Sequence, residues 1–287
     1  MNDQPVTDVQ ITEVGPRDGL QNEPLPVSTE HKVAMIDMLS RSGLSRIEVS
    51  SFVSPRAIPQ LSDAVEVFAE IRRHEGVEYS ALVPNIKGME RAIQCDVDSV
   101  AVFTSASESF CRNNINTDID GSLQRFEPVL ASARDNGIPV RGYISCVVAC
   151  PYEGRIDSVS VRVLAERLLG MGVSEIDLGD TIGVATPADI EQLMHEISTL
   201  LDPSEIVLHL HDTNGLALEC AMKGYEMGAR KFDSSCGGLG GCPYAPGAAG
   251  NLSTERLVQE CLDRGIESGI DPELVAEAAR LVSASDD

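Results

Sequence analysis

The sequence has too few cations to favour a nucleic-acid partner. Its 287 residues include 22 Lys and Arg against 45 Asp and Glu, for a formal charge of −23. Such a surface repels phosphate backbones. No apolar run approaches the roughly 18 residues of a membrane span, and the start, Met-Asn-Asp-Gln-Pro, lacks the basic and apolar regions of a secretion signal. We therefore expect a cytoplasmic protein without nucleic-acid or membrane partners.

The cysteines lack the spacing of a structural zinc site. Cys146 and Cys150 are four positions apart, but no second Cys or His pair follows at the spacing that zinc requires. Because no secretion signal accompanies the eight cysteines, we expect reduced thiols.

Strand-like and helix-like segments alternate along the chain. Several strands are continuous apolar or β-branched runs, typical of parallel strands buried on both faces. The predicted strands are 9–14, 46–52, 78–83, 99–104, 140–148, 175–178, 206–210 and 231–234. Eight β/α pairs predict a (β/α)₈ TIM barrel. The alternative is a doubly wound open sheet, but GxGxxG, the fingerprint of its dinucleotide-binding version, is missing after the first strand.

The helices carry start and stop signals. Residues 28–43 place Met35, Met38 and Leu39 on one face, and Thr186-Pro187 predicts a helix start followed by an apolar stripe to Leu201. Two C-terminal helices are predicted at 253–264 and 271–282, within about 251–283. The glycine-rich stretch 237–250 predicts a mobile loop. We expect one catalytic domain over 1–287.

Chemically active side chains follow the predicted strands. In a TIM barrel the strand C-termini form the rim that carries the active site. The candidates on this rim are Arg17, Asp18, Glu48, Asp180, His209, His211 and the glycine-rich loop.

His209 and His211 are two positions apart, so both rings project from one face of a strand. With Asp18 on the same rim they predict a divalent-metal site, and the alternative is a packed, hydrogen-bonded histidine pair. Two imidazoles and a carboxylate accept Zn, Mn or Co at least as readily as Mg.

The neighbouring side chains allow two interpretations each. Arg17 is either a salt-bridge partner or the group that stabilises a developing oxyanion, and Asp18 alone would suit a turn cap. Asp180 is either a base or a group that fixes a neighbouring His or Arg. The remaining candidates, which would orient the metal ligands, are Glu13, Gln21 and Glu48.

Cys242 is the most specific single candidate. It lies in the glycine-rich loop, where a thiol is hard to bury, so it is either a proton-transfer group over a bound substrate or an incidental thiol. Beyond the loop, Asn251 could add an oxygen ligand to the metal. Glu255 falls in the first turn of a helix, where a carboxylate is favourable in any case.

Seven motifs together resemble the hydroxymethylglutaryl-coenzyme A lyase family over nearly the whole chain. They are Glu13-Val-Gly-Pro-Arg-Asp-Gly-Leu-Gln-Asn-Glu23, Ile47-Glu-Val-Ser-Ser-Phe-Val-Ser-Pro55, Arg141-Gly-Tyr-Ile-Ser-Cys146, Cys150-Pro-Tyr-Glu-Gly154, Leu178-Gly-Asp-Thr-Ile-Gly183, His209-Leu-His-Asp-Thr213 and Gly238-Leu-Gly-Gly-Cys-Pro-Tyr-Ala245.

The resemblance implies a TIM barrel that cleaves 3-hydroxy-3-methylglutaryl-CoA to acetyl-CoA and acetoacetate. It implies a Mg²⁺ or Mn²⁺ ion and, because relatives are commonly dimers, a homodimer. The implied metal ligands are Asp18, His209, His211 and Asn251. The implied catalytic residues are Arg17, Cys242, Asp180, Glu255 and His209, and Tyr143 would bind substrate or orient these groups.

Departures from the family pattern leave the acyl substrate open. Asp177 stands where serine is usual, and an extra carboxylate near the rim is expected to alter the accepted acyl group. Citramalyl-CoA or another branched 3-hydroxyacyl-CoA is an alternative substrate. A synthase that condenses a 2-oxo acid with acetyl-CoA, or a non-catalytic binder, are less favoured alternatives.

Overall fold

The structure, a computed structural model, describes residues 7–240 and 250–283. The strands in this part of the chain are β1 (Gln10–Glu13), β2 (Arg46–Ser51), β3 (Glu78–Leu82), β4 (Ser99–Ser105), β5 (Val140–Ser145), β6 (Ala149–Cys150), β7 (Gly154–Arg155), β8 (Glu175–Asp180), β9 (Ile206–Leu210) and β10 (Lys231–Ser234). Eight of them are parallel and close into a barrel in the order β1-β10-β9-β8-β5-β4-β3-β2, and β6 and β7 form a separate antiparallel hairpin. Because the first strand pairs with the last, the TIM-barrel prediction is confirmed and the open-sheet alternative is wrong.

Ten α-helices lie within the described ranges, most of them between the barrel strands. They are α1 (Thr29–Leu39), α2 (Ala64–Glu70), α3 (Ile86–Gln94), α4 (Glu108–Ile115), α5 (Ile119–Asp135), α6 (Ser158–Gly170), α7 (Pro187–Ile197), α8 (Ala217–Glu226), α9 (Thr254–Asp263) and α10 (Pro272–Ser283). The two closing helices predicted after the last strand are confirmed, and α10 packs against α1 and α9. None of the helices in the described ranges is long and apolar enough to cross a membrane.

The predicted strand bounds differ from the structure mainly at strand ends. All eight predicted strands occur, and β9 and β10 match residue for residue. The prediction for 140–148 runs too far because Cys146 has a φ of +59°, a left-handed backbone that ends the extended strand. The hairpin of β6 and β7, which follows this turn, is missing from the prediction.

The start of α7 has the capping residues that the sequence predicts. Thr186 accepts a hydrogen bond from the backbone N–H of Asp189, whose side chain in turn accepts one from Thr186, with Pro187 at the first helical position. Ile190 is among the residues that α7 buries. The helix ends at Ile197, so the apolar stripe predicted to reach Leu201 is longer than the helix itself.

Charged side chains fill the N-terminal end of the barrel. Glu175 of β8 accepts hydrogen bonds from Arg46 Nη1 at 2.9 Å, Arg141 Nε at 2.7 Å and Lys231 Nζ at 3.0 Å. Barrel interiors are usually packed with branched apolar residues. Here the inward charges are held by partners, as burial requires, and this network continues towards the opposite rim.

Candidate metal centre and active site

A triad of buried donors lies at the C-terminal end of the barrel. Asp18 is in a short helical turn, Gly15–Gly19, after β1, while His209 is in β9 and His211 directly follows that strand. The two histidine Nε2 atoms are 3.3 Å apart, and Asp18 Oδ2 lies 3.8 Å from His209 Nε2 and 3.9 Å from His211 Nε2. The sequence thus predicted a group that the fold brings together.

The triad fits a divalent cation by its donor set and spacing. Adjacent ligands about 2.1 Å from an octahedral ion lie about 3 Å apart, so small side-chain rotations would bring all three atoms onto one ion. Burial lowers the pKa of His211 to about 4, with a further contribution from His209. His211 is therefore neutral near pH 7 and has a lone pair to offer.

A second group of possible ligands, Asp177, His209 and Asp233, lies deeper in the barrel, with donor atoms within 4.8 Å of one another. The Arg141 guanidinium already occupies this position. Its Nη1 donates to Asp233 Oδ1 at 2.8 Å and to Asp177 Oδ2 at 3.3 Å. Because a fixed cation sits among these carboxylates, the rim triad is the better metal site.

Asp18 is held by three neighbours besides the histidines. Its Oδ1 accepts hydrogen bonds from Arg17 Nη1 and, at 2.7 Å, from Gln21 Nε2. Its Oδ2 accepts one from Asn251 Nδ2 at 2.9 Å. Burial raises the pKa of Asp18, but Arg17 and the two histidines outweigh this and bring it down to about 2. The carboxylate is thus an anion, and Asn251 lies close enough to join it at a metal.

Arg17 lies between two carboxylates and an aromatic ring. Its Nε donates to Glu48 Oε2 at 2.5 Å, and its guanidinium carbon lies 5.1 Å from the Tyr143 ring centroid. The Tyr143 hydroxyl also donates to Glu48 Oε2, at 3.1 Å. Burial, with the charges of Asp233 and Glu48, raises the Tyr143 pKa well above its usual value, so the phenol stays a neutral donor. These contacts hold the arginine fork in one orientation.

Glu13 braces the turn that carries Arg17 and Asp18. Its Oε1 accepts the N–H of Gly15 at 2.7 Å and of Cys236 at 2.9 Å, and its Oε2 accepts the Thr254 hydroxyl at 2.8 Å. Glu13 therefore joins the end of β1 to the segment after β10 and to α9. Glu13 is fully buried and is not among the residues that line the cavity beside the triad.

Asp180 and the metal triad lie on different sides of the barrel wall. Gly179 lines the central cavity, so Asp180, the next residue in β8, points to the helix side. Its Oδ2 accepts the Ala185 N–H at 2.8 Å. Burial, with the nearby charge of Asp180, raises the pKa of Cys220 in α8 to about 12. Burial raises the pKa of Asp180 to about 6. In this structure Asp180 fixes the loop after β8 and contacts neither histidine.

Glu255 lies in the first turn of α9. Its carboxylate accepts the Gly237 N–H at 2.9 Å and the Ser253 hydroxyl at 2.6 Å. These contacts tie the first turn of α9 to the start of the glycine-rich stretch. Glu255 does not line the cavity.

Cys242 lies outside the described residues, as does most of the predicted loop. The described residues on either side approach the metal triad. A Cβ atom added at Gly240 would lie 3.3 Å from Asp18 O, and the Gly250 carbonyl accepts the Asp212 N–H at 2.7 Å. The described residues Gly240 and Gly250 thus lie beside the candidate site.

A cavity of about 940 Å³ opens beside the triad. Its lining includes Arg17, His209 and His211, and further polar and apolar side chains such as Phe103, Asn114 and Arg125. This volume falls in the upper part of the range of small-molecule pockets, about 300–1,000 Å³. Sequence reasoning missed these wall residues because none of them belongs to a motif: Phe103 lies in β4, Asn114 in α4 and Arg125 in α5.

Sequence reasoning also missed Asp233 and Arg141. Asp233 Oδ2 lies 3.2 Å from His209 Nδ1, a contact of the kind that orients a metal-bound imidazole. A usable signal exists, since charged residues in strands buried on both faces need buried partners. Asp177 is fully buried and absent from the cavity wall. The expectation that Asp177 alters the accepted acyl group stays a prediction.

The fold and the site define a TIM barrel with a candidate metal centre and a large cavity at its C-terminal rim. The HMGL-like family model matches residues 8–282, and the chain belongs to this family. Mouse cytoplasmic 3-hydroxy-3-methylglutaryl-CoA lyase is 47% identical over 274 residues, which cover 96% of this chain and 80% of the mouse protein.

Solved structures agree with this assignment. The HMG-CoA lyase from Brucella melitensis has a TM-score of 0.95 and 45% identity, covering 97% of this chain and 99% of that one. An HMG-CoA lyase from Acinetobacter baumannii, solved with coenzyme A and 3-methylmalate, has a TM-score of 0.91 and 39% identity, covering 96% and 90%.

Proposed function

We propose that this protein is a divalent-metal-dependent carbon–carbon lyase that cleaves 3-hydroxy-3-methylglutaryl-CoA to acetyl-CoA and acetoacetate. The observation that carries the proposal is the buried triad Asp18, His209 and His211 beside the fixed Arg17 guanidinium, at the mouth of a cavity in an HMGL-like barrel. The names of the mouse and Brucella relatives supply the substrate.

The metal ligands would be Asp18, His209, His211 and Asn251, with Mg²⁺ or Mn²⁺ as the ion. A bound ion would make the tertiary hydroxyl of the substrate more acidic. Asn251 would have to turn its amide oxygen to the ion, because in this structure its Nδ2 faces Asp18. Gln21, Glu48 and Glu13 would orient these ligands and Arg17 through the contacts described above.

Arg17 would stabilise the oxyanion that forms when the carbon–carbon bond breaks towards the thioester. Two of its donors are fixed on Glu48 and Asp18, while Nη2 makes no hydrogen bond within residues 7–240 and 250–283. A rigid donor at the cavity wall costs little reorganisation as charge develops. Tyr143, in contact with Arg17, would help to bind substrate or hold the arginine.

The proton of the substrate hydroxyl would go to His209 or Asp180. His209 Nε2 has one lone pair, so at a given moment it is either a metal ligand or a proton acceptor. Measuring the Mn²⁺ affinity of the His209→Ala variant separates these roles. Loss of a metal ligand weakens Mn²⁺ binding, whereas loss of a proton acceptor does not. Asp180 would need its loop to rearrange before it could reach the cavity.

Cys242 would transfer a proton to the leaving enolate and exclude water, delivered by its loop. Glu255 would act as a further acid through the same loop, since it already contacts Gly237. We also propose that residues 1–287 form one catalytic domain and that the protein is a homodimer, which light scattering after size-exclusion chromatography tests. The cytoplasmic location stays a prediction.

The test is an assay of purified protein with 3-hydroxy-3-methylglutaryl-CoA and citramalyl-CoA, in Mg²⁺, in Mn²⁺ and in EDTA. We expect acetoacetate and acetyl-CoA from the first substrate, no turnover in EDTA, and recovery when Mg²⁺ is restored. Failure to cleave any 3-hydroxyacyl-CoA would overturn the lyase proposal, and equal turnover in EDTA would overturn the metal role.

The second substrate addresses an alternative that one comparison favours. The Acinetobacter relative was solved with 3-methylmalate, a shorter hydroxy acid than the hydroxymethylglutaryl group. A higher kcat/KM for citramalyl-CoA would assign the chain to that shorter acyl group, with the same reaction class.

A further inference from the structure

Gly179 is a glycine within β8 that the backbone of the strand does not require. Glycine weakens a strand because it has no side chain to pack and more backbone freedom to lose on folding. In a strand it marks a positive φ, a bulge, a close approach of another backbone, or a close approach of a ligand. Four explanations for Gly179 therefore exist, and the structure distinguishes between them.

The first three explanations do not hold. The φ of Gly179 is not positive. Its register is regular on both sides, because it pairs with Ser145 of β5 and with His209 of β9 and the flanking pairs follow without a shift. A Cβ atom added at Gly179 would lie 3.5 Å from the Ile144 carbonyl oxygen and 3.6 Å from the Ser145 Cα, which is ordinary van der Waals contact. An alanine would therefore fit the protein.

A side chain at this position would point into the cavity. Gly179 lines the cavity together with Ser145 and His209, whereas Asp180, next along β8, faces the helices. Interiors of TIM barrels are ordinarily filled by layers of side chains. At the level of Gly179 two adjacent strands present a glycine and a serine, so the space beside His209 is left to a ligand.

The level below Gly179 is filled by larger side chains. On the same two strands, two residues earlier, Tyr143 pairs with Asp177. The Tyr143 hydroxyl donates to Asp233 Oδ2 at 3.2 Å, and Asp177 Oδ2 accepts from Arg141 Nη1 at 3.3 Å. Tyr143 lines the cavity and Asp177 does not. Gly179 thus lies at the level where the barrel interior changes from packed side chains to open cavity.

We propose that Gly179 is a specificity-determining residue, whose missing side chain leaves the space beside His209 that the acyl group of the substrate occupies. This inference rests on the proposed function and deepens it, because it assigns the acyl group to this end of the cavity. A methyl group at position 179 would take part of that space without disturbing the strand. It would exclude the hydroxymethylglutaryl group more strongly than the citramalyl group, which has one methylene fewer.

Gly179→Ala is the test variant, and Gly142→Ala is the matched control. Gly142 lies in β5 and also has no positive φ, but its added Cβ would point away from the cavity, 3.0 Å from Val173 Cγ1 and 3.3 Å from Leu168 Cδ1. We expect a lower melting temperature for Gly142→Ala. The melting temperature of Gly179→Ala should equal or exceed that of the wild type, because alanine has less backbone freedom to lose on folding.

The first measurement is steady-state kinetics with 3-hydroxy-3-methylglutaryl-CoA and citramalyl-CoA. One methylene in an apolar pocket changes kcat/KM by about 10- to 200-fold. We expect Gly179→Ala to lower kcat/KM for the longer acyl group by at least about tenfold more than for the shorter one. Gly142→Ala should keep the wild-type ratio of the two values.

The second measurement is independent of turnover. Calorimetric titration in EDTA compares the affinities for the same two thioesters and for free coenzyme A. Gly179→Ala should bind 3-hydroxy-3-methylglutaryl-CoA about tenfold more weakly and should bind coenzyme A, which has no acyl group, as the wild type does. In the absence of EDTA its Mn²⁺ affinity should also be unchanged, because the three atoms nearest to the added Cβ belong to Ile144 and Ser145 and not to His209.

Four outcomes would overturn the proposal: a kcat/KM ratio that is unchanged or shifted towards the longer acyl group in Gly179→Ala, an equal change of the ratio in Gly142→Ala, an equal loss of affinity for free coenzyme A, or a melting temperature of Gly179→Ala well below that of the wild type, which would mean that the fold itself requires the glycine. If the wild type binds the thioesters but cleaves neither, the proposed function fails while the affinities still decide the role of Gly179.

Discussion

Replacing Glu48 by Gln should damage both stability and catalysis, because Glu48 is the carboxylate that fixes Arg17. Its side chain is 1% exposed, and Oε2 accepts hydrogen bonds from Arg17 Nε at 2.5 Å and from Tyr143 at 3.1 Å. The amide has the same shape but no charge. Arg17 would keep Asp18 as its one remaining ion-pair partner among the described residues.

The expected cost follows from burial. Removing one partner of a buried ion pair costs about 3–5 kcal/mol. In a chain of this size 1 kcal/mol moves the unfolding midpoint by about 2–4 °C, so a loss near the lower figure lowers it by roughly 6–12 °C. Arg17 would also be drawn towards Asp18 and lose its fixed orientation. We expect kcat/KM to fall about 100-fold, a transition-state loss of about 2.7 kcal/mol.

Thermal unfolding and steady-state kinetics on Glu48→Gln and Glu175→Gln separate the two effects. Glu175 is a second buried acid that binds arginines, but at the opposite end of the barrel. Both variants should lose stability, whereas only Glu48→Gln should lose kcat/KM. If the two variants retain the same kcat/KM, the reasoning that Glu48 orients Arg17 is refuted.

Three further predictions test other parts of the site. Gly240→Ala should weaken Mn²⁺ binding in an equilibrium titration, because the φ of Gly240 is +101° and the new Cβ would lie 2.7 Å from Asn251 Nδ2. The control is Gly137→Ala, which also has a positive φ but open space around it, and which should bind Mn²⁺ as the wild type does. Equal Mn²⁺ affinities of the two variants would contradict this prediction. Burial raises the pKa of Glu13 from 4.5 to about 7, so the folded chain binds the extra proton, and the free energy of urea unfolding should fall as pH rises through that window. The decrease of the unfolding free energy with pH should be smaller in Glu13→Gln than in the wild type. Equal pH dependences of the two proteins would contradict the assignment of this proton to Glu13. Cys242→Ser should lower kcat strongly with intact Mn²⁺ binding, and unchanged turnover would make the thiol a bystander.

Much of the fold and the metal triad could be predicted from the sequence because both depend on short-range patterns. Buried parallel strands are continuous apolar runs, and the alternation with helices sets the barrel. The two-residue spacing of His209, in β9, and His211, directly after it, then fixes their common face, and barrel geometry brings Asp18 to the same rim. The apolar pattern did not predict where the backbone departs from a regular strand, as at Cys146 with its positive φ.

The position of Asp180 could have been predicted from the sequence by the alternation of side chains along a strand. Side chains alternate along a strand, so in β8 Asp177 and Gly179 face the barrel axis and Asp180 faces the helices. In β9 the same rule puts His209 inside, where it meets Asp233. Applied from the sequence, alternation would have assigned Asp180 to the loop beside α8 and Asp177 to the barrel interior, where it meets Arg141. The partners of Asp177, by contrast, come from strands distant in sequence, and only the closed barrel identifies them. A site built on strands is therefore predictable in its facing residues and unpredictable in the buried pairs behind them.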